Sequence, residues 1–263
     1  MTATAPAVRE VTAARVFART CAAEWTRLWT VKATWWFLAA GAAAMVGIAT
    51  IAGVEAGSGT DAPQGASAWA MAAVPVLPAQ FAFLALALTA VTSDYATGGI
   101  VPSCQWTPRR AVLFLARTTV AVGSAAVLGA LLALLSAGTA FVVARPVLDL
   151  SPDRGLAVLP TVAFVLAAGS ALAVGLGFLL RNTAGTLVAV FLLMLVLPLV
   201  LPNFGYEWTS ALARLLPGSG GAFLLLGEVP GMTRASSVTT LLCWAGGALL
   251  LGLLRLTRDD ANR

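Results

Sequence analysis

The chain has no histidine and only three cysteines, Cys21, Cys104 and Cys243, in 263 residues. An odd number of widely spaced cysteines excludes a disulfide framework. Without histidine or a CxxC pair there is no zinc site. The three thiols read as small buried or interfacial side chains. Charge is equally scarce, at 10% of residues against 59% hydrophobic. Soluble domains are about a quarter charged, so this composition places the chain in a membrane. No Gly-x-x-x-x-Gly-Lys-Ser/Thr is present, so the chain has no phosphate cradle for ATP. Gly-x-Ser-x-Gly, His-Glu-x-x-His and paired intramembrane aspartates are missing too, which leaves hydrolase and intramembrane-protease readings without residues. An enzyme is not expected, nor is a resident cofactor or metal.

The apolar runs are themselves poor in ionisable groups. A secondary transporter needs such groups deep in its spans to bind ions or protons. With no ion relay and no nucleotide site, any transport must draw its energy from another chain. The net charge of +5 suits anionic lipid head groups. Its basic residues are scattered over helix ends and form no patch for nucleic acid. The first apolar run begins near Trp35, after a basic segment and no small-residue cleavage site, so no signal peptide is expected.

What is present reads in order along the chain. Residues 1–7 are small and polar and read as disordered. From Val8 to Lys32 the pattern is an amphipathic helix. Phe17, Ala18, Cys21, Ala22, Trp25, Leu28 and Trp29 fall on one side, and Arg19, Thr20, Glu24 and Arg27 on the other. Trp opposite Arg suits the head-group plane. Six spans follow, at about 34–53, 69–92, 111–143, 156–180, 183–201 and 236–254, each near the ~20 residues needed to cross hydrocarbon. The third is overlong and is expected to tilt or to project beyond the bilayer. Twelve of the sixteen basic residues fall on the side of the chain ends and of the second and fourth connections. Only Arg145, Arg154, Arg214 and Arg234 fall on the other. The positive-inside rule then makes both termini cytoplasmic. The expected domains are a tail with its interfacial helix (1–33), a six-helix membrane domain (34–254) and a short tail (255–263).

Four features stand out. Ser93 to Arg110 joins spans two and three with an acidic start, a Gly-Gly turn, two prolines and a basic end. A turn, a short helix and a second turn fit it, which is the shape of a lever offered to a soluble partner. Residues 202–235 are too apolar for a solvated loop. Glu207–Leu216 and Gly218–Gly227 are predicted as two short helices broken at Pro217, a re-entrant pair closing the outer side. Small residues recur every fourth position at Ala125, Gly129 and Ala133 and at Ala167, Ala171 and Gly175, spacing that lets helices approach closely. Finally, two polar residues lie inside spans. Arg117, two turns into span three, is expected to snorkel to the inner surface. Gln80 reads first as a helix–helix hydrogen bond and second as a substrate contact.

Several stretches resemble a known family. Ala23-Glu24-Trp25-Thr26-Arg27-Leu28-Trp29, running on to Trp35-Trp36, resembles the N-terminal helix and first span entry of actinobacterial permeases of the ABC type-2 exporter family. Asp94-Tyr95-Ala96-Thr97-Gly98 followed by Thr107-Pro108-Arg109-Arg110 is similar to that family's connection between spans two and three. Leu180-Arg181-Asn182-Thr183-Ala184-Gly185 resembles its turn into span five, and Leu215-Leu216-Pro217-Gly218-Ser219 its outer segment. The chain departs at Gly99-Ile100-Val101-Pro102, where members continue with polar residues. The resemblance implies a half-transporter of the plasma membrane. Two permeases pair, as a homodimer or with a similar chain, and two ATP-binding subunits dock on the cytoplasmic face and hold ATP and Mg. It makes the N-terminal helix (Glu24, Arg27) and the second connection (Asp94, Tyr95, Gln105, Trp106, Thr107, Arg109, Arg110) the ATPase-coupling surface. Cargo would be an antibiotic, peptide or lipid-like molecule moved along the apolar faces of spans one, two and five, with Gln80 and Phe83 on the path. The rival expectation is a non-pumping immunity or sensor module that binds a peptide or antibiotic at its outer face.

Overall fold

The computed structural model describes residues 12–58, 66–106, 109–145, 147–227 and 229–258, the side chains of Val101, Cys104 and Trp106 excepted. The stretch expected to be disordered, 1–7, lies outside the described residues. Among the described residues, twelve α-helices run in order: α1 (Ala13–Thr30), α2 (Lys32–Ser58), α3 (Ala68–Ala73), α4 (Val76–Thr97), α5 (Ile100–Trp106), α6 (Arg110–Val143), α7 (Pro152–Leu180), α8 (Thr183–Phe191), α9 (Leu197–Val200), α10 (Glu207–Arg214), α11 (Pro217–Leu226) and α12 (Arg234–Arg258). Among the described residues, six helical stretches are long and apolar enough to cross a membrane: Lys32–Ser58, Ala68–Thr97, Arg110–Val143, Pro152–Leu180, Thr183–Phe204 and Arg234–Arg258. They coincide with the six expected spans. Along α6, 34 residues make a rod of about 51 Å, well beyond the ~30 Å of hydrocarbon.

Proline explains where two spans are interrupted. Span two is not one helix but α3 and α4, separated at Val74–Pro75. Pro75 has no N–H to return to the carbonyl four residues back, and its ring clashes there. Span five carries a π turn over Leu192–Val196, then α9, then a 3₁₀ turn over Leu201–Phe204. Pro198 cannot donate the α-pattern bond to Met194, and the widened turn sits just before it. A two-residue parallel bridge, β1 (Ala66–Ser67) to β2 (Leu148–Asp149), ties the α2–α3 and α6–α7 connections together. No sequence pattern announced it.

The α3–α4 and α7 spans form the centre. In their most apolar stretches 67% and 72% of residues are buried, against 17–28% in the other four spans. The main core joins Leu84, Leu88 and Val91 of α4 to Phe114 of α6, Leu172 and Phe178 of α7, and Met194. The small-residue rows are spent inside the chain. A Cβ on Gly129 would overlap the Leu166 side chain, and one on Gly175 would overlap the Ala248 backbone. Gly252 approaches equally closely, its ideal Cβ position lying 2.7 Å from the Gly175 carbonyl oxygen. These rows seal α6 to α7 and α7 to α12, so they offer no free surface to a second copy. The last helix also runs further than expected. It is helical to Arg258, so the expected tail begins as helix.

A charge network at one end of the bundle

Four charged residues from three helices meet at the end of the bundle where α1 packs. Arg117 Nε donates to Glu24 Oε1 at 2.9 Å, and Arg117 Nη2 to Asp94 Oδ2 at 2.5 Å. Arg27 Nη1 reaches the same Asp94 oxygen at 2.9 Å and Glu24 Oε2 at 3.5 Å. A second nitrogen of Arg27 donates to the Ala90 carbonyl at 2.7 Å. The Arg117 side chain is 1% exposed, whereas those of Glu24, Asp94 and Arg27 are 12%, 14% and 29% exposed. Two arginines and two carboxylates thus form a neutral cluster. A buried guanidinium is tolerated only with such partners.

The local sequence explains how the cluster forms. The inward stripe of α1 is Val16, Phe17, Thr20, Cys21, Glu24, Arg27 and Leu28, at helical spacing. It takes residues from both expected faces. Glu24 and Arg27, expected on the polar face of an interfacial helix, instead turn into the bundle. Trp25, on the expected apolar side, is 50% exposed instead. Trp25, Trp29 and Trp35 form an aromatic row with centroids 5.4 Å apart. The snorkelling expected of Arg117 is corrected as well. α1 lies over the first turns of α6 and α4 ends beside it, so two carboxylates are closer to the guanidinium than any surface. The sequence held only a partial signal for this. Acidic residues are rare, and Glu24 and Asp94 are the acids nearest the ends of spans one and two at this end.

Other arginines at this end are spent on helix-end carbonyls, where the negative end of the helix dipole favours a cation. Arg110 donates to the Leu256 carbonyl at 3.0 Å, Arg181 to that of Arg255 at 3.3 Å, and Arg255 to that of Leu179. Arg181 itself adopts φ 55° at the end of α7, and Asn182 caps α8 by accepting from Gly185 N at 2.8 Å. These two residues make the tight turn the sequence predicted.

The residues assigned to partner coupling therefore divide. Glu24, Arg27 and Asp94 lie inside the network. Tyr95 is half-buried, with the Arg181 guanidinium 5.5 Å from its ring centroid. Arg110 ties α6 to α12. Gln105 and Arg109 are exposed. Thr107 lies outside the described residues. The short helix α5 leaves α4 through Gly98, at φ 72°, a conformation glycine adopts without strain. Ser103 helps hold that corner, its hydroxyl donating to the Gly99 carbonyl at 2.9 Å. Beside the network, between α1, α2, α4 and α6, is a cavity of about 330 Å³ with largely apolar walls.

The two path residues also part company. Phe83 is 2% exposed and packed among Met45, Ala125, Val162 and Leu166, so it faces core and not a path. Gln80 lines a second cavity, of about 730 Å³, between α4, span five, α10 and α11. Its amide makes no hydrogen bond to any described residue, so the expected helix–helix bond is not there. α10 and α11 are the two short helices predicted between spans five and six.

Among the cysteines, Cys21 is half-buried on α1, and Cys243 is exposed on α12. Burial pushes the Cys21 thiol above its ordinary range, and the nearby Glu24 carboxylate adds to the shift. That makes it a poor thiolate, in keeping with an inert packing role. No group of three or more His, Cys, Asp or Glu able to hold a metal occurs among the described residues. Comparison with protein-family models found no match, and comparison with curated proteins found none either.

Proposed function

We propose that the chain is the permease half of an ATP-driven exporter, with ATP and Mg held by a separate subunit docked at the end bearing the charge network. One observation carries this reading. A short helix, α5, is set between the ends of α4 and α6, and both of those helices are clamped to α1 through Asp94 and Arg117. A push on α5 or α1 would therefore move spans two and three as one body. With no nucleotide cradle in the sequence, ATP-driven transport would draw on a partner's ATP site.

In this reading the basic end is cytoplasmic, in the plasma membrane, and α1 lies in the head-group layer with Trp25, Trp35 and Trp36 outward. α10 and α11 re-enter the outer leaflet. Two copies, or one copy with a similar permease, assemble with two ATPase subunits. The cargo is amphiphilic or hydrophobic, and drug resistance is one role such a pump would serve. Gln105 and Arg109 offer the docking contacts, whereas Glu24, Arg27, Asp94 and Arg117 transmit the motion inward.

The test is purification of the chain with its genomic neighbours in mild detergent. A stoichiometric ATP-binding subunit is expected, and its repeated absence would favour a non-pumping binding module. Arg109→Glu places a repelling charge on the docking surface without touching the Arg110–Leu256 tie. Charge reversal at such contacts costs several kcal/mol. It should release the ATPase while leaving the permease abundant in the membrane; retention of full coupled ATP hydrolysis would exclude Arg109 from the docking surface.

A further inference from the structure

The 730 Å³ cavity lies away from the charge network and carries its own unmet chemistry. Ligand pockets of small molecules run about 300–1,000 Å³, mostly apolar with a few polar groups aimed inward. Its walls are largely apolar, with Leu77 of α4 and Met194, Leu195 and Leu199 of span five among them. Gln80 and Arg214 are among the polar side chains in it that lack partners among the described residues. Gln80 is 3% exposed, and its amide makes no hydrogen bond. Arg214, half-buried at the end of α10, has neither an ion pair nor a hydrogen bond. Buried polar groups are almost always paired; a deeply set amide and a half-buried cation, both unpaired among the described residues and both facing one cavity, mark a place where something else supplies the partner.

The backbone around them is arranged to keep the space open. The π turn Leu192–Val196 forms one wall, and such turns occur often at functional sites. Gly218 at the start of α11 packs directly on the Met194 carbonyl, where any Cβ would overlap it. Gly231, at φ 76°, leaves room for the Arg214 guanidinium, which a Cβ there would displace. Glu207 also borders the cavity, seven residues before Arg214, about 10.5 Å along α10. It is exposed at the helix start, where water and the helix dipole satisfy it. Among the described residues, the half-buried charge at this cavity without a counterion is the positive one.

We infer that this cavity binds an amphiphile with a single anionic group: its apolar body lies against span five, its charge on Arg214, and a polar atom on the Gln80 amide. Calling that ligand a cargo rests on the exporter reading; its binding does not.

The full chain in lipid nanodiscs tests this with 11-(dansylamino)undecanoic acid and its methyl ester, using energy transfer from tryptophan. The cavity-filling variant Ala222→Phe supplies the background from lipid partitioning. The acid should bind saturably, be displaced by unlabelled dodecanoate, and bind at least about tenfold more tightly than the ester. Arg214→Gln should remove that preference, weakening the acid about tenfold, the loss of roughly one charge-assisted bond, while leaving the ester unchanged. Arg214→Lys, which keeps the charge, should restore most of it. Gln80→Leu should weaken acid and ester by the same factor. Equal affinities of acid and ester for the wild type would overturn the inference, and so would an Arg214→Gln variant that shifts both probes or neither. No ATPase enters the measurement. Failure here therefore leaves the exporter reading standing, and failure to find an ATPase leaves the binding site standing.

Discussion

Replacing Arg117 with Met is the most informative perturbation of the network. Methionine matches the apolar stem but withdraws both the 2.9 Å contact to Glu24 and the 2.5 Å contact to Asp94. Breaking a fully buried pair by removing one partner costs about 3–5 kcal/mol. Here the cost is smaller, because both carboxylates are slightly exposed and each keeps Arg27, which lies 2.9 Å from Asp94 and 3.5 Å from Glu24. About 2–4 kcal/mol is expected from charge-assisted bonds worth about 1.5–3 kcal/mol each. Arg27→Met should cost less, about 0.5–1.5 kcal/mol, since that side chain is 29% exposed and solvent screens its pairs. The decisive measurement is a double-mutant cycle of Arg117→Met with Asp94→Asn, followed by equilibrium unfolding in mixed micelles titrated with dodecyl sulfate. If the two residues share one network, the double variant is less destabilised than the sum by about 1–3 kcal/mol. Additivity within about 0.5 kcal/mol would refute a shared network, whatever the single variants do. Tryptophan emission gives a second readout, because release of α1 separates Trp25 and Trp29 from Trp35.

Three further outcomes are expected. Gly175→Ala should destabilise by about 1–3 kcal/mol, since its Cβ overlaps the α12 backbone, whereas Gly123→Ala, which meets open space, should be neutral or stabilising; equal effects in the same unfolding assay would refute the tight α7–α12 seam. Cys21 should react slowly with maleimide at neutral pH, its raised pKa leaving less thiolate, and Glu24→Gln should speed the reaction because it removes a charge that opposes ionisation; a slower variant would contradict the sign. In a cysteine-free background, single cysteines at Ser58 and Gln105 should label from opposite faces of the membrane, and labelling of both from one face would overturn the six-span arrangement.

Composition and periodicity alone settled the membrane character, the six spans and their approximate ends. Twenty apolar residues in a row permit few structures in lipid, and proline and glycine punctuate them visibly. The turn at Arg181–Asn182, the connection holding the short helix α5, and the pair α10–α11 were legible for the same local reason. What the sequence left open was every choice of partner. Arg117, Glu24, Arg27 and Asp94 are far apart along the chain. Each has a plausible surface role by itself, and only the crossing of α1 over α4 and α6 makes burial together cheaper than exposure apart. Gln80 and Phe83 lie three residues apart on one helix and looked alike as path residues. A rotation of α4 by the packing of its neighbours put the phenyl ring into core and the amide into a cavity. Chain chemistry determines which residues are costly to leave unsatisfied, and tertiary packing decides which of them find each other, because the distances that matter to a guanidinium or an amide exist only once the helices are assembled.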